Sequence, residues 1–266
     1  MESYFTSNRL AWNQRLSLHL KSKLYDQENF VAGKNSLFPL DQQLLGSVKG
    51  KRILHLQCHF GQDTISLARL GAQVTGLDLS DQCIDYARQM AKNLRLSNVD
   101  FLCANVYDFP HSLNGSYDVV YTSYGTIVWL PDLNAWAETI RRALKPGGKL
   151  VFVEFHPFIW VYDSKIEHLT YDYFNSGVIH EIEQGSYAAP DAAERIESYT
   201  WNHPLSEVIT ALLQADLMLN SFLEYDYAPC EFAPNLEEFT PGHFRFKNLT
   251  TSFPMVYSIM AEKISA

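Results

Sequence analysis

The chain has only four cysteines in 266 residues (Cys58, Cys83, Cys103, Cys230), and no two of them form a Cys-x-x-Cys pair. This scatter argues against a disulfide framework and against a zinc ribbon, both of which need closely spaced thiols. Three of the four fall in apolar strand or helix patterns, where a free thiol serves as a small core residue. Positive charge is also scarce, with 21 Lys and Arg against 30 Asp and Glu and a net charge of −9. Polyanions are bound mainly by Lys and Arg, so neither a nucleic acid nor an anionic membrane is expected as partner. No apolar run approaches the roughly 18–20 residues that span a bilayer, and the first residues carry no signal-peptide pattern; a cytoplasmic location is expected. Repeats, low-complexity tracts and His/Cys/carboxylate clusters at metal spacing are missing too, so no metal is expected.

What is present is a globular composition, 47% hydrophobic and 19% charged, with strong local periodicity from Gly50 onward. Before it, residues 6–24 place Leu10, Trp12, Leu16, Leu18 and Leu20 at helical spacings, and a short helix is expected at 38–46. Arg52-Ile-Leu-His-Leu56 reads as a strand, 63–70 as a helix stopped by Gly71, and Gln73-Val-Thr-Gly-Leu-Asp78 as a second strand. Ser80 is placed to cap a helix running to about Arg95. Strands follow at 99–104 and 117–121, a helix at 133–144, the breaker Lys145-Pro-Gly-Gly148, and a strand at 149–155. Strands alternating with helices of this length predict an α/β fold, a parallel sheet covered on both faces. After His156 the rhythm breaks across 157–200, rich in Tyr, Phe and Trp. It resumes with a helix near 205–215, a strand near 217–225 and a last strand at 253–261. The division expected is an N-terminal helical cap (1–49) on one domain (50–266) carrying a lid-like insertion (157–200).

Ligands of such sheets bind outside the carboxyl ends of the strands, at the switch point. The first βα turn is Leu56-Gln-Cys-His-Phe-Gly61, and the second strand ends 17 positions later at Asp78, suited to ribose hydroxyls. Gly-x-Gly-x-x-Gly is absent, which argues against a dinucleotide pyrophosphate. No Asn-Pro-Pro-Tyr follows the fourth strand, where Tyr121-Thr-Ser-Tyr124 stands instead.

The ordered set Ile53-Leu-His-Leu-Gln-Cys-His-Phe-Gly61, Gly76-Leu-Asp78, Ala104-Asn-Val106, Tyr117-Asp-Val-Val120 and Leu144-Lys-Pro-Gly-Gly148 resembles the class I S-adenosylmethionine-dependent methyltransferases, in a bacterial branch of small-molecule type. The resemblance implies a Rossmann-like, seven-stranded, mostly parallel sheet whose last strand is antiparallel. It implies S-adenosyl-L-methionine as cofactor, S-adenosyl-L-homocysteine as product, and methyl transfer to an O- or N-nucleophile of a small-molecule substrate. Carried onto this chain, it puts Gln57, His59 and Gly61 at the methionine part, Asp78 on the ribose, Leu79 against the adenine, Asn105 at its amino group and the Val106 N–H at a ring nitrogen. Thr122 and Ser123 would lie below the reactive methyl. The family's first two loop glycines are here Gln57 and His59. Glycine permits close backbone approach, so a non-catalytic binding protein that has kept the fold and lost the cofactor stays open as an alternative.

Candidates for chemistry follow from position. His156, just past the fifth strand, is either a base or a loop histidine held by Pro157. Tyr124, just past the fourth, either meets substrate or packs. Trp12, Arg15, His19, Tyr25 and His203 lie in segments that cover such pockets, and each is either a substrate or cofactor contact or a docking residue. His55 is expected to be a satisfied core residue. Oligomeric state is not legible.

Overall fold

The computed structural model describes residues 2–163, 166–233, 235–247 and 251–264. Helix α1 (Glu2–His19), the short α2 (Gln27–Val31) and α3 (Pro39–Leu45) precede the sheet. There follow β1 (Arg52–Leu56), α4 (Gln62–Arg69), β2 (Gln73–Asp78), α5 (Asp81–Asn93), β3 (Val99–Cys103), β4 (Tyr117–Ser123), α6 (Leu133–Ala143) and β5 (Leu144–Phe155). The remainder comprises β6 (Ile179–Gln184), β7 (Arg195–Thr200), α7 (Leu205–Gln214), β8 (Leu217–Tyr225), β9 (Leu236–Thr240), β10 (His243–Phe246) and β11 (Val256–Lys263).

Seven strands form one sheet in the order β3-β2-β1-β4-β5-β11-β8, and β11 runs antiparallel to both its neighbours. This is the Rossmann-like sheet with an antiparallel last strand that the family resemblance implied. Strand alternation sends Leu54, Leu56, Val120 and Phe152 to one face, against the fully buried Trp136 of α6 and Val208 and Leu212 of α7. Ile53, Val119, Tyr121 and Val151 go to the other face, against Leu37, Leu45 and Leu67. Covering both faces removes the central strands from water, and each large side chain so buried contributes roughly 1.5–3 kcal/mol.

Local chemistry sets the ends of the elements. Ser80 Oγ accepts the Cys83 N–H at 3.1 Å to cap α5, and Gly71 turns the chain after α4 with φ 92°. Asp132 caps α6 by accepting the N–H groups of Asn134 and Ala135.

Several details depart from the sequence reading. The first helix is continuous over 2–19, and α2 was not foreseen. The Lys145-Pro-Gly-Gly148 cluster does not separate helix from strand, because Leu144 already pairs with Tyr117 before the register shifts. All four cysteines are free, and Cys58 and Cys83 are buried, but Cys103 is exposed. The aromatic insertion contains an antiparallel hairpin, β6–β7, and a second hairpin, β9–β10, lies between β8 and β11. No helix among the described residues is long and apolar enough to cross a membrane.

Candidate active site

At the carboxyl end of β1 the chain must turn sharply into α4. Gln57, His59 and Gly61 all adopt left-handed backbone angles, with φ of 53°, 54° and 84°. Glycine does this freely, whereas an L side chain costs about 1–2 kcal/mol. The loop therefore keeps a glycine-type path at two positions that carry side chains. Position 61 admits none, since a Cβ there would lie 2.7 Å from the Phe101 ring and 2.8 Å from Ala87.

Asp78, at the end of β2, anchors this loop. Its Oδ2 accepts the His59 N–H and its Oδ1 the Ser80 N–H, each at 2.8 Å. Burial raises its pKa to about 6, opposed by those backbone donors. Asn105 uses its Oδ1 to accept the Tyr107 N–H at 3.1 Å, while Val106 is buried and Leu79 half-buried. Thr122 is buried with its hydroxyl donating to Thr126 Oγ1 at 3.2 Å, and Ser123 is half-buried.

The turn after β4 is shaped by a residue the sequence reading did not single out. Glu154, buried on β5, accepts the N–H groups of Thr126 at 2.7 Å, Phe155 at 2.8 Å and Ile127 at 3.2 Å, and that of Gly125 as well. A buried carboxylate that collects several N–H donors pins a turn firmly. The only hint in the sequence was an acidic residue inside an apolar strand.

Over the loop lies α1. Arg15 is 4% exposed. Its guanidinium carbon stands 5.3 Å from the Trp12 ring centroid and 5.2 Å from that of Trp129. Burial lowers its pKa, countered by Glu183, Tyr187 and Glu181. Its Nη1 is buried without a hydrogen-bond partner, as is Oε1 of Gln57. Both residues are tied to one turn: Gln57 Nε2 donates to the Thr126 carbonyl at 2.8 Å, and Arg15 stacks on Trp129.

His19 Nδ1 and His59 Nε2 are 3.2 Å apart, and His19 Nε2 is 3.1 Å from Ser186 Oγ. Burial, with the Arg15 charge nearby, holds His19 down at about 3 and depresses His59 as well. Both rings are thus neutral, and a hydrogen bond between them needs a single proton. Tyr25 stacks on His19 with centroids 5.1 Å apart, and its hydroxyl meets that of Tyr187.

The insertion joins this cover. Asn8 on α1 bonds the backbone of Tyr199 twice, donating to its carbonyl at 2.7 Å and accepting its N–H at 2.9 Å. Trp12, Arg15, His19 and Tyr25 are therefore gathered with Gln57 and His59 beneath α1 and the β6–β7 hairpin. His203 and His156 are not. His203 bonds the Leu130 carbonyl at 2.8 Å and lies 3.1 Å from Glu207. His156 accepts the Phe158 N–H on Nδ1 and meets Glu224 through Nε2, so neither ring nitrogen is free to take a substrate proton. His55 is buried, with Nδ1 2.8 Å from Thr64 Oγ1. Tyr124 packs against Phe38 and Phe155 and has φ 38°.

A doubly wound sheet with a sharp left-handed loop after β1, a carboxylate at the end of β2 and an antiparallel final strand is the architecture of class I methyltransferases. Residues 53–148 match the family described as methyltransferase domain. The chain is 34% identical over 127 residues to a demethylmenaquinone methyltransferase of Lactococcus lactis subsp. lactis, covering 46% of this chain and 50% of that protein. It is 35% identical over 103 residues to a ubiquinone biosynthesis O-methyltransferase of Idiomarina loihiensis, covering 39% and 42%. These matches span half or less of the relatives' length. An S-adenosylmethionine dependent methyltransferase from Mesorhizobium loti shares the fold, with TM-score 0.56 and 19% identity over 87% of this chain and 99% of that one. Residues 53–148 thus resemble a methyltransferase domain, and the chain as a whole shares the fold of S-adenosylmethionine-dependent methyltransferases.

Proposed function

We propose that this protein transfers a methyl group from S-adenosylmethionine to an O- or N-nucleophile of a small molecule. The observation that carries the reading is the pair of orphaned buried atoms, Arg15 Nη1 and Gln57 Oε1, held by one turn beside the loop. The amino-acid tail of the cofactor presents a carboxylate and an ammonium, the complements of a guanidinium donor and an amide acceptor. Neutral His19 and His59 leave Arg15 as the positive charge beside the loop, with Glu181 and Glu183 acting on it. Asp78 has lone pairs left for ribose hydroxyls, with Leu79, Asn105 and Val106 at the adenine.

When bound, the cofactor supplies an electrophilic methyl on a sulfonium. The chain's own work is then positioning and exclusion of water. Helix α1 and the β6–β7 hairpin close the site like a lid, and Thr122 and Ser123 form its floor. Both relatives' names refer to small acceptors, and a net charge of −9 suits a small-molecule substrate better than a nucleic acid or membrane.

Incubating the full chain with methyl-labelled cofactor and the small-molecule fraction of a bacterial extract tests this. Label should appear in low-mass products. Binding of S-adenosylhomocysteine without any labelled product would favour the non-catalytic alternative.

A further inference from the structure

Beyond the cofactor loop lies a second group of buried polar side chains. Asp41, at the third position of α3, is fully buried, and its Oδ2 accepts the Phe38 N–H at 3.0 Å. Its other oxygen, Oδ1, is buried without a partner. The hydroxyls of Tyr121, within β4, and Tyr124, just past its end, are also buried without a partner of good geometry. Both nevertheless lie near enough to the Asp41 carboxyl to favour its charged form. Three orphaned atoms therefore converge where one carboxyl and two phenols meet.

A second carboxyl stands close by. Asp63, on the first turn of α4, is held by Ser36 Oγ at 2.6 Å and acts electrostatically on Asp41. Among the described residues, the titratable groups seen to interact with Asp41 are Asp63, Tyr121, Tyr124, Tyr227 and Cys230, none of which carries positive charge. Burying carboxylates without a cation is costly, and burial, reinforced by Asp63, lifts Asp41 to about 8. Aromatic rings pack around the same cluster. Tyr124 stands 5.5 Å from Phe38 and 5.6 Å from Phe155, and Phe155 4.6 Å from Phe232. Tyr25, under α1, is also acted on electrostatically by Asp63 and Cys230.

We infer that the methyl acceptor is a protonated amine seated among Asp41, Tyr121 and Tyr124, and that Asp41 Oδ1 takes its proton. This rests on the methyltransferase reading and narrows its substrate class. An ammonium supplies the missing countercharge, satisfies the orphaned oxygens and suits the ring faces, whereas an alcohol supplies no charge. In the step itself an N–H bond of the ammonium breaks, and its electron pair remains on nitrogen. The proton passes to Oδ1, leaving a neutral carboxylic acid beside a neutral amine. Burial and the neighbouring Asp63 make the Asp41 carboxylate more basic than an exposed one, which favours its taking the proton.

The test uses phenethylamine and 2-phenylethanol, which differ in an ammonium for a hydroxyl, titrated calorimetrically into the full chain loaded with S-adenosylhomocysteine. The amine should bind about tenfold or more tightly than the alcohol. Asp41→Asn should abolish that preference while leaving S-adenosylhomocysteine affinity within about threefold. Asp63→Asn and Tyr124→Phe disturb no backbone hydrogen bond and should each shrink the preference by about threefold, so they carry the test if Asp41→Asn folds poorly. Equal affinities, no heat from the amine up to about 10 mM, or a preference that survives Asp41→Asn overturns the inference. If S-adenosylhomocysteine binds and the amine is not preferred, this inference alone fails. If S-adenosylhomocysteine does not bind, the underlying reading fails with it.

Discussion

The backbone N–H of His59 donates to Asp78 Oδ2 at 2.8 Å while His59 itself holds a left-handed φ of 54°. One carboxylate thus braces the strained loop after β1 and stands where the cofactor's ribose is proposed to lie. The structural role of Asp78 and its proposed binding role fall on one side chain, and its variants report on both.

Asp78→Ala is expected to weaken S-adenosylhomocysteine at least about tenfold, since hydrogen bonds to a charged group contribute roughly 1.5–3 kcal/mol. It also strands the His59 and Ser80 N–H groups, so urea unfolding should show a loss of about 1–3 kcal/mol. The pH dependence has opposite signs for binding and stability. Ribose hydroxyls donate to the carboxylate, so affinity should rise as pH climbs through about 6. The folded pKa lies above the ordinary 3.8, so this group's contribution to stability of the ligand-free chain falls as pH rises from 3.8 to about 6. Wild-type affinity that is flat from pH 5 to pH 7 would count against the ribose assignment.

Gln57→Gly separates backbone strain from ligand contact. Relief of the left-handed angle returns about 1–2 kcal/mol, while the lost bond to the Thr126 carbonyl and the freer unfolded chain each remove about 1 kcal/mol. Stability by urea unfolding should therefore stay within about 1 kcal/mol of the parent. S-adenosylhomocysteine should bind about five- to tenfold more weakly, because Oε1 is gone. Unchanged affinity would remove Gln57 from the site.

Much of this was legible in the sequence because short-range chemistry fixed it. The strands at 52–56, 73–78 and 217–225, the Ser80 cap and the Gly71 stop follow from apolar alternation and turn residues. The left-handed angles at Gln57 and His59 were not legible, since no propensity predicts them at residues other than glycine; tertiary contacts such as the His59–Asp78 bond impose them. The β6–β7 hairpin was hidden because exposed and half-buried side chains alternate along Ile179–Gln184 without a continuous apolar face. Glu154 and Asp41 were missed for a shared reason. Each is an acid in an apolar stretch, and what it does depends on neighbours more than 20 residues away in sequence, Gly125 and Thr126 for one and Tyr121 and Tyr124 for the other.

The most direct measurement is calorimetric titration of S-adenosylhomocysteine into the parent chain and into Arg15→Met, with melting temperatures recorded for both. Arg15 is a buried cation with an unpartnered Nη1, so methionine in its place relieves a desolvation cost and preserves volume. The ligand-free variant should melt at or above the parent's temperature, while its affinity falls about thirtyfold or more from a micromolar parent value. A parent chain that gives no heat at about millimolar ligand, or an Arg15→Met variant that binds as tightly as the parent, would contradict the account.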